Sequence, residues 1–146
     1  MPLAITTDVN AAAMAESSLG AARDCNRVIY VTVGTGIGGG IVINGEVNQG
    51  KFHPEIGHMR ITVNPKDPMP EGICAFHGNC LEGLASGPAI EQRWQANLSR
   101  LGENHPSINL QANYLAQMCM NLLLTMTPDI IILGGGVMET PSLLAK

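Results

Sequence analysis

The residues from His53 to Glu82 carry the densest chemistry in the chain: His53-Pro54-Glu55-Ile56-Gly57-His58, then Cys74, His77 and Cys80, with Leu81-Glu82 following. Thiol and imidazole groups at three-residue steps, joined by an upstream histidine, can supply the four ligands of a tetrahedral zinc site. Two buried cysteines beside a surface histidine is the plainer alternative. His58 stands three residues after Glu55, so one segment can serve both a metal and a hydroxyl-bearing ligand. Asp8, at an expected strand-to-helix junction, can cap the helix or take a proton from a substrate hydroxyl. Gly34-Thr35-Gly36 lies between two β-rich runs. Without a Cβ its backbone N–H groups can approach an anion, and Thr35 adds a hydroxyl, although a glycine-rich hairpin without chemistry has the same pattern. It is not a dinucleotide fingerprint, because a strand follows it. Gly134-Gly135-Gly136 follows a buried strand and is a second turn at which a nucleotide or only a helix could begin.

These groups need elements to hold them. Leu3 to Thr6 reads as a short strand, and Ala11 to Glu16 as a helix capped by Asp8 or a neighbour. Arg27 to Val33 is a β-branched central strand, Gly34 to Gly40 a turn, and Ile41 to Ile43 a returning strand. Asn44-Gly45 marks a tight hairpin into Glu46-Val47. From Asn48 to Cys80 only His58 to Val63 reads as a strand. Prolines 54, 65, 68 and 70 break the remainder, so zinc is expected as the fastener. Leu81 to Ser86, Pro88 to Leu98 and Leu110 to Thr125 read as helices, Ile130 to Leu133 as a buried strand, and a last helix starts near Pro141. His105 reads as an ordinary loop residue, Trp94 as core packing, and His53 as a neighbour of the ligand without a set role.

The chain has 146 residues, 45% hydrophobic and 14% charged, which suits one α/β domain with its own core. A formal charge of −4 without a Lys/Arg cluster gives no footprint for nucleic acid. Its apolar runs fall short of the ~20 residues of a membrane span. Met1-Pro2-Leu3-Ala4 lacks the basic start and apolar core of a secretory signal. Cys25 and Cys119 have no spacing partner and read as reduced core thiols. Together these features set the expectation of a cytoplasmic protein.

The combined motifs resemble the ROK family of sugar kinases and repressors, and within it the bacterial fructokinases. The resemblance rests on Thr7-Asp8-Val9-Asn10-Ala11-Ala12, Gly34 to Gly40, His53 to His58, Cys74 to Gly83, and Pro128 to Gly136. It implies an actin/hexokinase-like (ribonuclease H-like) α/β fold with a zinc-stapled loop. It also implies phosphorylation of fructose to fructose 6-phosphate with ATP and Mg²⁺, by a cytoplasmic homodimer. Asp8 matches the catalytic base, Glu55 and His58 the sugar-binding pair, and His58, Cys74, His77 and Cys80 the structural zinc ligands. Gly34, Thr35 and Gly36 match a phosphate loop, and Gly134 and Gly135 the turn against which adenosine lies. With four protein ligands, the zinc keeps no open position for catalysis. Two departures stand out: Thr7 where many members have Asn, and Cys-x-x-His where many have Cys-x-Cys-Gly. The second, with Asn64-Pro65-Lys66-Asp67, points to the fructokinase branch. No Asp-x-Gly-Gly-Thr turn is found, and members are about twice this length. Residues 1–146 are therefore expected to be a partial ROK kinase region, inactive alone. The alternatives are a sugar-responsive repressor and a kinase for glucose or mannose.

Overall fold

The computed structural model describes residues 5–144. A four-stranded mixed sheet with order β3-β2-β1-β4 forms the centre: β1 is Arg27–Val33, β2 Ile37–Ile43, β3 Glu46–Val47 and β4 Ile130–Gly134. β1 runs antiparallel to β2, from Arg27 opposite Ile43 to Val33 opposite Ile37, and parallel to β4, with Val28 opposite Ile130. Alternation along β1 sends its side chains to two cores. Ile29, Val31 and Val33 join Leu81, Leu84, Ile108, Tyr114 and Met118, while Val28 joins Ala13, Ala22 and Val42. The second core lies under α1 (Asp8–Ser18); the first packs against α2 (Leu81–Ala85), α3 (Gly87–Trp94) and α4 (Pro106–Met126). A short α5 (Pro141–Leu144) ends the described chain. No helix among the described residues is long and apolar enough to cross a membrane.

Several expectations change. The strand over Leu3 to Thr6 falls partly outside the described residues, and Ile5 and Thr6 are irregular. Of the two options for the cap of α1 it is the neighbour, Thr7, that fills it, accepting from the Asn10 N–H at 3.2 Å. The glycine-rich turn ends at Gly36, and Gly38 to Gly40 belong to β2. They are glycines because other elements lie against them. A Cβ on Gly40 would run into the Val9 backbone of α1, and one on Gly39 into the Ile56 side chain. Asn44 (φ 52°) and Gly45 (φ 82°) form the expected hairpin turn, since both take the left-handed conformation it requires. No strand runs from His58 to Val63: a 3₁₀ turn covers Ile56–His58, and Arg60 makes a single bridge to Cys80. α3 stops at Trp94, where Gln95 turns left-handed, and a 3₁₀ turn follows at Leu98–Arg100. α4 begins earlier than its apolar spacing suggests. Pro106 takes the first-turn position and His105 is the cap, its Nδ1 accepting from the Ser107 N–H at 3.2 Å. His105 thus leaves the ordinary loop class.

The irregular stretch from Asn48 to Cys80 is real, and it has a fastener other than metal. Asp67, with its side chain fully buried, accepts from Arg93 Nε at 2.7 Å, Tyr114 Oη at 2.6 Å and the Met69 N–H at 2.8 Å. Gln117 on α4 closes a second clamp, accepting from the Thr62 N–H and donating to its carbonyl. A buried carboxylate survives only when paired and hydrogen-bonded, and here both conditions hold. Burial and the Asp67 carboxylate push the Tyr114 hydroxyl well above the ordinary tyrosine range.

Candidate active site and metal centre

At the carboxyl end of β1 the Gly34-Thr35-Gly36 turn separates two cavities. One, about 420 Å³, is lined by Asp8 and Val9 from α1, Gly34 to Gly39, His53, Pro54, Glu55 and Glu82. The other, about 510 Å³, is lined by Gly34, Thr35, Glu91, Asn97, Gly136 and Thr140 among others. Gly34 and Thr35 belong to both walls. A group transferred between ligands in the two cavities would pass at this turn.

The turn is held from behind and open in front. Gly34 N–H donates to the Gly36 carbonyl at 2.9 Å, and its own carbonyl accepts from the Gly87 N–H at 2.7 Å. The Glu82 carboxylate accepts from the Ile37 N–H at 2.9 Å where β2 begins. A Cβ on Gly36 would press on that carboxylate, whereas one on Gly34 would meet nothing. Among the described residues the N–H groups of Thr35 and Gly36 have no acceptor. Two unsatisfied donors on a glycine turn suit an anionic oxygen.

Asp8 is exposed at the first turn of α1, its Oδ1 accepting from the Val9 N–H at 2.9 Å. Glu55, also exposed, faces the same cavity and pairs with His53 Nε2 at 2.9 Å. The structure therefore brings Asp8, Glu55 and the glycine turn together around one space. His58 is not in that lining; it sits one 3₁₀ turn away among the cysteines. The second glycine turn is divided. A Cβ on Gly134 would strike the Tyr30 hydroxyl, and one on Gly135 (φ 92°) the Val33 backbone, whereas Gly136 lines the larger cavity.

His58, Cys74, His77 and Cys80 converge, with one donor atom from each lying within 4.8 Å of the others. His58 Nδ1 is 3.5 Å from Cys80 Sγ and 3.8 Å from Cys74 Sγ, and His77 Nδ1 is 3.8 Å from Cys74 Sγ. Tetrahedral zinc with Zn–S near 2.3 Å and Zn–N near 2.0–2.1 Å places sulfur and nitrogen ~3.6 Å apart, so the donor set fits that ion. The knuckle is backbone-built: Cys74 and Gly78 exchange two N–H···O bonds, and Gly78 takes φ 61°. Arg60 Nη1 clamps its far side, donating to the His77 carbonyl and Asn79 Oδ1. Burial pushes the Cys74 thiol up, but the N–H groups of Phe76 and His77 and the Cys80 thiol outweigh it and leave it below the ordinary cysteine value. Cys80 is held above that value, chiefly by burial. Cys25 and Cys119 are free and half-buried against the two cores, and burial raises Cys119.

Three features were not legible from spacing. Glu82 was visible only as the second residue after Cys80, yet it fixes the glycine turn from a distance of 45 residues. The wall of the larger cavity formed by α3 and Asn97 to Ser99 has no motif signature. The Asp67, Arg93 and Tyr114 network joins residues 26 and 47 positions apart.

The ROK family profile matches residues 1–146. A fructokinase from Zymomonas mobilis is 44% identical over 147 residues, covering 99% of this chain and 49% of that protein. Among solved structures, a ROK hexokinase from Thermus thermophilus has TM-score 0.75 and 33% identity, covering 96% of this chain and 54% of its own. A ROK glucokinase from Streptomyces griseus, solved with glucose and AMPPNP, has TM-score 0.74 and 29% identity, covering 99% and 56%. The α/β, actin/hexokinase-like architecture thus stands. The chain spans about half the length of the curated relatives it matches.

Proposed function

The chain belongs to the ROK family, and from that premise we propose that it forms part of an ATP-dependent fructokinase, which moves the γ-phosphoryl group of ATP to the 6-hydroxyl of fructose. The observation that carries this reading is the pair of cavities sharing Gly34 and Thr35, with a carboxylate base in one of them. Sugar would occupy the cavity of Asp8 and Glu55, and ATP the cavity of Gly136 and Thr140. Asp8 takes the proton from the attacking hydroxyl, and Glu55 accepts hydrogen bonds from other sugar hydroxyls. His58 turns Nδ1 toward the sulfurs, and since it lies outside the lining of this cavity its Nε2 would reach only a sugar hydroxyl that extends past Glu55. Thr35 and Gly36 N–H groups receive phosphate oxygens as charge shifts. Phosphoryl transfer depends mainly on such positioning and electrostatics. Mg²⁺ bound with ATP would neutralise phosphate charge.

Zinc held by His58, Cys74, His77 and Cys80 would have a structural role, keeping the segment that bears Glu55 in place. Fructose is preferred to glucose or mannose because the Zymomonas relative is named for that sugar and is more similar than the hexokinase and glucokinase. Residues 1–146 are read as a partial kinase region, inactive alone, and the whole protein as a cytoplasmic homodimer. In the whole protein Asp8→Asn should reduce kcat by about 10²–10⁴-fold while fructose still binds. Retained turnover would remove Asp8 as the base.

A further inference from the structure

His53 has no role in the account above, although it faces the same cavity as Asp8 and Glu55. Its Nε2 lies 2.9 Å from Glu55 Oε1, and this is the Glu55 side chain's one polar partner among the described residues. The geometry between them is constrained by the chain. Pro54 fixes its own φ and holds the preceding residue in extended backbone, so the two side chains leave the backbone at set directions. Both are half in water, at 47% and 61% side-chain exposure, so the pair contributes little to holding the fold together. Its consequence lies in the rotamer of Glu55. A free glutamate samples many rotamers and must give them up when a ligand binds; one already tethered through Oε1 keeps Oε2 turned to a fixed direction.

We propose that His53 is a positioning residue, which orients the Glu55 carboxylate toward the hydroxyls of the substrate in the Asp8 cavity. The inference rests on the sugar-kinase reading for the identity of that substrate, but not for the pair itself. Asp8 and Glu82 are the other carboxylates of the cavity. Neither is paired with His53 among the described residues. A histidine two residues before a carboxylate, across a proline, is in this view a specificity device. It limits Glu55 to hydroxyls presented from one side.

The pair can be read in the 146-residue chain without any ligand. Long-range ¹H–¹⁵N spectra of the imidazoles should show His53 with a proton on Nε2, and Glu55→Gln should move that signal; an Nε2 resonance indifferent to Glu55→Gln overturns the proposal. Fructose titration of the whole protein then tests the consequence. His53→Ala should weaken fructose roughly three- to tenfold, and His53→Gln, which keeps an N–H donor, should recover part of the loss. ATP binding should not change. In the Glu55→Ala background His53→Ala should add nothing, because His53 acts through Glu55; a full additive loss there would give His53 its own contact with the sugar and refute the positioning role. Absence of fructose binding by the whole unsubstituted protein would count against the sugar reading, while the imidazole spectra would still decide whether the pair exists.

Discussion

Gly40→Ala tests how the sheet positions Asp8. Gly40 lies within β2, paired with Tyr30 of β1, and α1 crosses directly over it. A Cβ there would sit 2.7 Å from the Val9 carbonyl carbon and 2.9 Å from Asn10 Cα, and closer still to the Val9 oxygen. Comfortable carbon contacts are ~3.5–4.0 Å, so α1 must withdraw by about 1 Å, because both sides of the clash are backbone. Overpacking of this kind costs about 1–3 kcal/mol. The reduced freedom of the unfolded chain, about 0.4–1 kcal/mol in alanine's favour, only partly offsets it. At about 3 °C per kcal/mol for a chain of this size, Tm should fall by roughly 4 °C. The functional effect should be larger in proportion. Asp8 adjoins Val9 and moves with α1, and a 1 Å misplacement costs on the order of 10²-fold in rate. Gly38→Ala is the control for the melt, since the nearest atom to its Cβ would be the Val9 Cγ1 methyl, at 3.3 Å, which can give way. Thermal unfolding of the chain and kcat of the whole protein are the two measurements. A Gly40→Ala protein that melts like Gly38→Ala and turns over like the unsubstituted protein would refute the argument that a glycine in β2 sets the position of the base.

The remaining expectations concern the irregular stretch and its fasteners. Chelation of bound zinc should raise hydrogen exchange first around Cys74 to Gly83, while Thr62 to Met69 stays protected by Asp67 and Gln117; simultaneous loss across both would mean that the metal holds the whole stretch. Asp67→Ala leaves the Arg93 guanidinium buried without its partner and should cost about 3–5 kcal/mol in a denaturant melt, whereas Tyr114→Phe, which removes one hydrogen bond to that carboxylate, should cost about 1–3 kcal/mol. The raised Tyr114 value also carries a sign. Below pH ~10 the hydroxyl is protonated in both folded and unfolded chains, and its contribution is fully present. Above that pH the unfolded chain releases the proton and the fold does not, so stability should fall as pH rises, more steeply than in Tyr114→Phe. Equal alkaline slopes for the two proteins would show that Tyr114 is not held protonated.

Much of this protein was readable in the chain because its determinants are local. The Cys74-x-x-His77-x-x-Cys80 spacing, the Asn44-Gly45 turn, the β-branched run of β1 and the apolar period of α4 each depend on neighbours a few residues away. The candidate site residues could be picked out for the same reason: Asp8, Glu55 and Gly34 to Gly36 lie in short segments of distinctive composition. The errors arose where a distant segment decided. Gly38 to Gly40 look like turn residues and form a strand, because α1 and Ile56 approach too closely for any side chain. His58 to Val63 alternates like a strand, but Gln117 clamps it from α4 and the 3₁₀ turn at Ile56–His58 brings His58 to the cysteines. Pattern alone therefore marked a candidate chemistry and most of the elements that would hold it. Only the tertiary structure decided that two cavities meet at one glycine turn, that Glu82 braces the turn from across the chain, and that a buried Asp67 shares the fastening expected of zinc. Those outcomes depend on the packing of residues dozens of positions apart, where geometry is set by burial and close approach and leaves no periodic trace in the chain.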